Sequence, residues 1–257
     1  MNKNEVIETL KLVRANSKKR NFKQSVDLII NLKDLDLKNP DHQVTQFIQL
    51  HFSRGKKAKV CALVGPELLE QAKEVCDLAV SLEDFPKYQD KKVAKKLANG
   101  YDFFIAQATI MPKIATTFGR VFGPKGKMPN PKAGCVVPPN ASLKPLYERL
   151  QQTIKLATIN DAILQCSVGK EDMKDEELVD NIMTIYNSVL HSLPNESHNI
   201  KEIIIKFTMD KSYKVGAKPL EEQKGKEKPK AIKEEKEDKP QDPKSEEQTG
   251  EKPEVKK

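Results

Sequence analysis

Lys59 to Glu70 reads KVCALVGPELLE, and this stretch divides the chain. Val60 to Val64 is an unbroken apolar run, the pattern of a strand covered on both faces, as in a parallel sheet. Gly65-Pro66-Glu67 then opens a helix toward Asp77, because proline is well tolerated in a first helical turn. Leu68, Leu69, Ala72 and Val75 form its inward face. The alternation continues with a short strand at Leu78 to Leu82, a lysine-rich helix over Lys91 to Asn99 closed by Gly100, and a strand at Asp102 to Ala106. Met111-Pro112 starts another helical piece, and Leu143 to Leu156 makes the last helix of the unit. Strands alternating with helices predict a small Rossmann-like α/β domain with a parallel sheet. No G-x-G-x-x-G accompanies it, so the unit need not hold a dinucleotide.

The sequence on either side follows a different pattern. Before it, Val6, Ile7, Leu10 and Val13 share one helical face, and Val26, Leu28, Ile30 and Leu32 alternate as a half-buried strand does. A second strand runs from Val44 to Phe52, with Val44, Gln46, Ile48 and Leu50 on one face. After it, Ala162, Leu164, Cys166 and Val168 alternate. Leu178, Val179, Ile182, Ile185, Val189 and Leu193 trace a helical stripe, and Ile203, Ile205 and Phe207 close the pattern. Each flank is too small to stand alone. The fold class is therefore α+β with α/β: a split α+β domain (1–55 and 158–216) interrupted by an inserted Rossmann-like α/β domain (56–157). A Lys/Glu/Pro-rich tail follows (217–257), with too few apolar residues to offset its conformational entropy, and disorder is expected there.

Between the predicted helix at Met111 and the one at Leu143 lies FGRVFGPKGKMPNPKAGCVVPP, Phe118 to Pro139. It holds four glycines, five prolines, four basic residues and no acid. Each proline removes a backbone donor and fixes φ, so the run reads as a long, stiff, cationic loop rather than a helix or central strand. Gly123, Gly126 and Lys127 superficially suggest a phosphate-cradling loop. That motif needs four residues between its glycines and a Ser or Thr after the lysine; here only two intervene and Met128 follows. A nucleotide-dependent enzyme with an atypical phosphate loop is thus the weaker alternative.

Charge points elsewhere. The tail carries 12 lysines and 12 acidic residues, so the net +8 of the chain belongs to the body. Lys11 to Lys23 has six basic residues and no acid, and Lys91 to Lys132 has nine against Asp102 alone. Clustered positive charge is the electrostatic footprint of a nucleic-acid binder. A basic protein–protein scaffold, the other alternative, would expose an apolar patch instead. Cys61, Cys76, Cys135 and Cys166 are scattered without metal-ligand spacing, so neither a metal, a cofactor nor a disulfide framework is expected. There is no Ser-His-Asp, Cys-His or paired-carboxylate arrangement, no signal-peptide h-region and no membrane-length apolar run. A cytoplasmic, non-enzymatic protein follows.

The loop residues Gly119, Arg120, Gly123, Pro124, Lys125, Gly126, Lys127, Met128, Pro129 and Pro131, with V-P-P-N-A after them, resemble the signature loop of the large-subunit ribosomal protein L-one family, in its archaeal form. The resemblance spans Asn4 to about Val215 and implies the same split architecture. It implies binding to ribosomal RNA at a mobile stalk beside the tRNA exit site, help in releasing deacylated tRNA, other ribosomal components as neighbours, and repression of the protein's own messenger RNA. Carried over residue by residue, the RNA contacts are Phe22, Ser25 and Asp27 on the first strand, Gly169 and Lys170 in a V-G-K turn, and Thr208 and Met209 in a T-M-G turn. Two departures stand out. Leu50-His51-Phe52-Ser53 replaces the family's L-P-N-G or L-P-H-G junction. Asp210 replaces the turn glycine; a carboxylate that faced phosphates there would weaken binding, whereas one that pairs or caps locally would not.

Overall fold

The computed structural model describes residues 1–37, 39, 42–158 and 161–216; the tail expected from 217 onward lies outside them. Helix α1 (Lys3–Ala15) leads to strand β1 (Ser25–Leu32), whose residues alternate between half-buried and buried along its length. β1 is central in a four-stranded antiparallel sheet. β8 (Ile163–Lys170) lies on one edge, β9 (Ile200–Phe207) on the other, and β10 (Tyr213–Lys214) outside β9. Helix α6 (Asp175–Ser192) and α1 bury their apolar stripes on this sheet, and Val6, Leu10, Leu28, Ile30, Ile182, Ile185 and Ile205 form one core. Residues 6–50 and 154–207 thus share a single interior.

Residues between these flanks form the parallel sheet that the KVCALV run predicts. Its strands are β3 (Val60–Val64), β4 (Leu78–Ser81), β5 (Phe103–Gln107) and β6 (Val136–Val137), in the order β4-β3-β5-β6. Every residue of β3 is buried. Cys61, Leu63 and Phe104 face helices α3 (Lys91–Gly100) and α4 (Met111–Phe122), while Val60, Ala62 and Ile105 face α2 (Leu69–Val75) and α5 (Leu143–Gln152). The result is a mixed α/β protein with one antiparallel and one parallel four-stranded sheet. Among the described residues no helix is long and apolar enough to cross a membrane.

Two local expectations are corrected. The last predicted helix stops at Gln152, and Thr153–Ala157 forms strand β7, antiparallel to β2 (Thr45–Gln49). Thr153 and Ile154 are β-branched and pack poorly in a helix; Ile154 and Leu156 instead join the core of the antiparallel part. The stretch from Phe118 is not loop throughout. Phe118 to Phe122 is the end of α4, with Gly123 N–H closing the helix on Gly119 O at 3.0 Å. All five prolines lie beyond Phe122, so nothing prevents the helix from running that far, and burial of Phe118 and Phe122 favours it. Pro131–Ala133 is a single 3₁₀ turn and Val136–Val137 is the edge strand β6.

The junction into the parallel part is held by one buried amide. Asn181, fully buried in α6, accepts from Phe52 N–H at 3.2 Å and donates to Phe52 O at 3.1 Å and Val168 O at 3.2 Å. His51 Nδ1 lies 2.6 Å from Asp180 beside it. Replacing Asn181 with leucine strands the buried Val168 carbonyl and two partly buried backbone groups of Phe52, and a loss of about 2–4 kcal/mol is expected. Urea titration checks this: the midpoint falls while the slope is unchanged.

Candidate nucleic-acid interface

Because β1 runs antiparallel to both neighbours, its N-terminal end meets the C-terminal ends of β8 and β9. Ser25 lies opposite Lys170, and Val26 lies opposite both Gly169 and Phe207. The sheet therefore gathers Phe22, Ser25, Asp27, Gly169, Lys170, Thr208 and Met209 at one end, although they come from three distant segments. The backbone locks the arrangement, since Thr208 N–H donates to Ser25 O at 3.1 Å and the Thr208 hydroxyl donates to the same oxygen at 3.2 Å.

Phe22 is 54% exposed and Met209 59%, so two large apolar side chains stand in solvent at this edge. Neither fills the core, which leaves their faces available to bases or sugars. Asp27 is half-buried, and burial raises its carboxyl above the usual range despite the nearby Thr208 hydroxyl and Lys206. A register shift against β8 falls between Val26 and Asp27. It leaves Val168 outside the ladder, with its carbonyl held by Asn181. Gly169 has a packing role: a Cβ there would lie 2.6 Å from both Leu178 and Met173.

Residues absent from the predicted set hold this end together. Gln24 is only 1% exposed. Its carbonyl accepts from Glu171 N–H at 3.0 Å, its side-chain oxygen accepts from Met209 N–H at 3.3 Å, and its amide nitrogen donates to Asp210 at 3.1 Å. Arg14 clamps the β8–α6 turn, donating to Asp175 at 2.8 Å, Glu171 O at 2.8 Å and Met173 O at 2.7 Å. Periodicity does not mark a buried amide next to a strand; the only signal was its place between Phe22 and Ser25.

Asp210 does not face outward. Its carboxylate accepts from Ser17 Oγ at 2.6 Å and Gln24 Nε2 at 3.1 Å and pairs with Arg20 at 3.3 Å; its side chain is 9% exposed. These hydrogen bonds, that from Ser17 foremost, hold its carboxyl below the usual range. The carboxylate thus ties the basic connector to the turn after β9; of the two alternatives open in the sequence, it is the local pairing that the structure shows.

The signature-loop residues sit apart, in the parallel part. Gly119 and Arg120 end α4, with Arg120 exposed. Gly123, Pro124 and Lys125 lead to Gly126, whose φ of +60° suits glycine. Lys127 donates to Ala98 O at 2.9 Å and Tyr101 O at 2.6 Å, and Lys125 donates to Asn99. These lysines cover the carboxyl end of α3, where orphan carbonyls and the helix dipole favour cations. Burial lowers the Lys127 pKa. Met128 packs on the neighbouring core and Pro129 is buried, while Pro131 starts the 3₁₀ turn. An ammonium committed to two carbonyls is not a phosphate-cradle lysine, and of the loop's cations Arg120 and Lys132 are the exposed ones.

The sequence profile of the ribosomal protein L1p/L10e family matches residues 13–210, which run from α1 to the Asp210 turn. The chain belongs to that family. Similar curated proteins include the large ribosomal subunit protein uL1 of Methanothermococcus thermolithotrophicus, 40% identical over 210 residues, covering 81% of this chain and 96% of that protein. The Methanococcus voltae uL1 is 42% identical over 208 residues (80% and 95%), and the Thermoplasma volcanium uL1 38% over 217 residues (84% and 98%). The matched span includes all seven residues at the sheet end.

Asp210→Gly is expected to lower Tm at pH 7 by about 3–6 °C. Because folding lowers the Asp210 pKa, its contribution is present above the ordinary value of 3.8 and is lost as pH falls through the lowered value. The Tm gap between wild type and variant therefore narrows under acid, and thermal melts from pH 7 to pH 3 check it. If the sheet end meets RNA, Asp210→Gly is expected to bind it no more tightly than wild type, because the carboxylate it removes is turned inward.

Proposed function

We propose that this chain is a structural, non-enzymatic protein of the large ribosomal subunit that binds ribosomal RNA through the end of its antiparallel sheet. The observation that carries the reading is the convergence of Phe22, Ser25, Asp27, Gly169, Lys170, Thr208 and Met209 at that end. It offers two exposed apolar side chains for bases and sugars, a hydroxyl for 2′-OH groups and a lysine for phosphate. The basic connector with Lys18, Lys19 and Arg20 runs alongside and adds sequence-independent attraction. On this reading the protein acts in the cytoplasm at the mobile stalk beside the tRNA exit site, aiding release of deacylated tRNA. The same surface represses translation of its own messenger when that RNA folds into a similar shape.

The antiparallel part works as a split RNA-binding domain and the parallel part as its insertion. The second crossing point belongs at Gln152–Thr153, since β7 pairs with β2 and Leu50 N–H donates to Gln152 O at 2.9 Å. Those two strand ends are adjacent, so a short Gly/Ser turn joining Ser53 to Gln151 spans the gap.

With a stalk rRNA fragment, Phe22→Ala should weaken binding by about 1–3 kcal/mol, the usual worth of a base stacked on an aromatic ring, and Met209→Ala should weaken it by less. Lys170→Ala should lower the salt slope of log K by about one. The Ser53–Gln151 splice is expected to retain specific binding. Filter binding at several salt concentrations reads all three. A folded splice that ignores RNA would move the site into the parallel part, and unchanged affinity in the Phe22/Met209 double variant would remove the sheet end from the interface.

A further inference from the structure

Between the two sheets lies a cavity of about 310 Å³, bounded by β7 and β8 on one side and by β5 and the loop after α4 on the other. Four cations line it: Arg54, Lys125, Lys127 and Lys155, with Asp102 as the acid among the lining residues. Three of these cations have carbonyl acceptors, since Lys127 is held by Ala98 and Tyr101, Lys125 by Asn99, and Lys155 donates to Gly126 O at 2.5 Å. Asp102 accepts from Lys59 N–H at 3.2 Å.

Arg54 differs. Its Nε is buried and finds no hydrogen-bond acceptor among the described residues. A guanidinium is always charged and carries five donors in a planar fork. A buried donor on such a group is costly unless an acceptor reaches it, and native interiors rarely leave one alone. Among the described residues no carboxylate pairs with Arg54, and its positive charge is felt by Cys166 across the same cavity. The acceptor such a fork fits best is a carboxylate or phosphate taken bidentately. With three further ammonium groups around it, the higher charge of phosphate is the better match.

We propose that this cleft binds a phosphate group, with Arg54 as its principal donor and Lys155 at its rim. It is distinct from the sheet-end surface and does not rest on the RNA reading. At about 310 Å³ the cavity lies at the lower limit of small-ligand sites, enough for inorganic phosphate or a single phosphate of an RNA backbone. A phosphate here would meet groups from both sides, Arg54 on the crossing segment and Lys125 on the loop, and so favour the arrangement in which the two parts approach.

The full chain, labelled with ¹⁵N-arginine, is titrated with sodium phosphate at constant ionic strength, with chloride as the control. The Arg54 Nε–H signal, assigned by its loss in Arg54→Lys, should move saturably with phosphate and not with chloride. Arg54→Met should abolish phosphate-dependent thermal stabilisation, and Lys155→Met, which leaves Arg54 in place, should weaken phosphate binding about tenfold. Should Arg54→Met fail to fold, the wild-type signal and Lys155→Met decide the matter. A signal that moves no further with phosphate than with chloride overturns the proposal. The RNA fragment separates the two sources. A tenfold affinity loss in Lys155→Met assigns the site to an RNA backbone phosphate, and unchanged RNA affinity alongside saturable phosphate binding assigns it to free phosphate.

Discussion

Pairing of β1 with β8 on one edge and β9 on the other is the constraint on which the rest depends. Both partners come from the far end of the chain, so the ladder closes two long loops at once, and the entropy of that closure is offset only by a core shared between the flanks. Val26, Leu28 and Ile30 supply β1's share of that core, and Leu164, Val168, Ile205 and Phe207 supply that of its partners. Antiparallel register then dictates geometry. It puts Ser25, Gly169-Lys170 and Thr208-Met209 at one sheet end. A parallel neighbour would have brought its own N-terminal end there instead.

That end stays ordered because its polar groups are saturated from behind. Gln24 and Asp210 form a partly buried network with Ser17, Arg20, the Met209 backbone and Glu171, while the Phe22 and Met209 side chains stand in solvent. The backbone that carries these two side chains is therefore ordered before a ligand arrives, which is how preorganisation raises affinity. Asp27 opposes this trend modestly. Its raised pKa means that the folded state favours its protonated form relative to the unfolded chain, so this group adds stability as pH falls through the raised value toward 3.8. Asp210 does the reverse.

What could be read in advance follows from period and from composition. The unbroken KVCALV run and the alternating strands around it carry period signals strong enough to separate a parallel sheet from an antiparallel one, and family resemblance nominated the residues that the fold gathers at the sheet end. Three features were not legible. Strand β7 follows α5 without a break, so the helical pattern hides it until Gln46, Phe47 and Ile48 are seen opposite Leu156, Lys155 and Ile154. The helical end of α4 was hidden by the prolines that follow it. Where the loop's charge points was hidden as well, because charge in a sequence carries no direction; in the fold Lys125 and Lys127 donate to oxygens at the carboxyl end of α3.

The crossing segment between β2 and β3 bears on both surfaces at once. Gly55 has φ +73°, and a Cβ there would sit 3.1 Å from two carbons of the Lys170 stem, so the position is constrained by backbone and by contact together. The backbone of the crossing therefore lies against the aliphatic stem of a lysine whose partner across the ladder is Ser25. One residue earlier, Arg54 faces the cavity between the two sheets. Gly55 and Arg54 thus tie the antiparallel and parallel parts at neighbouring positions, the first by its contact with the Lys170 stem and the second by its place on the cavity wall.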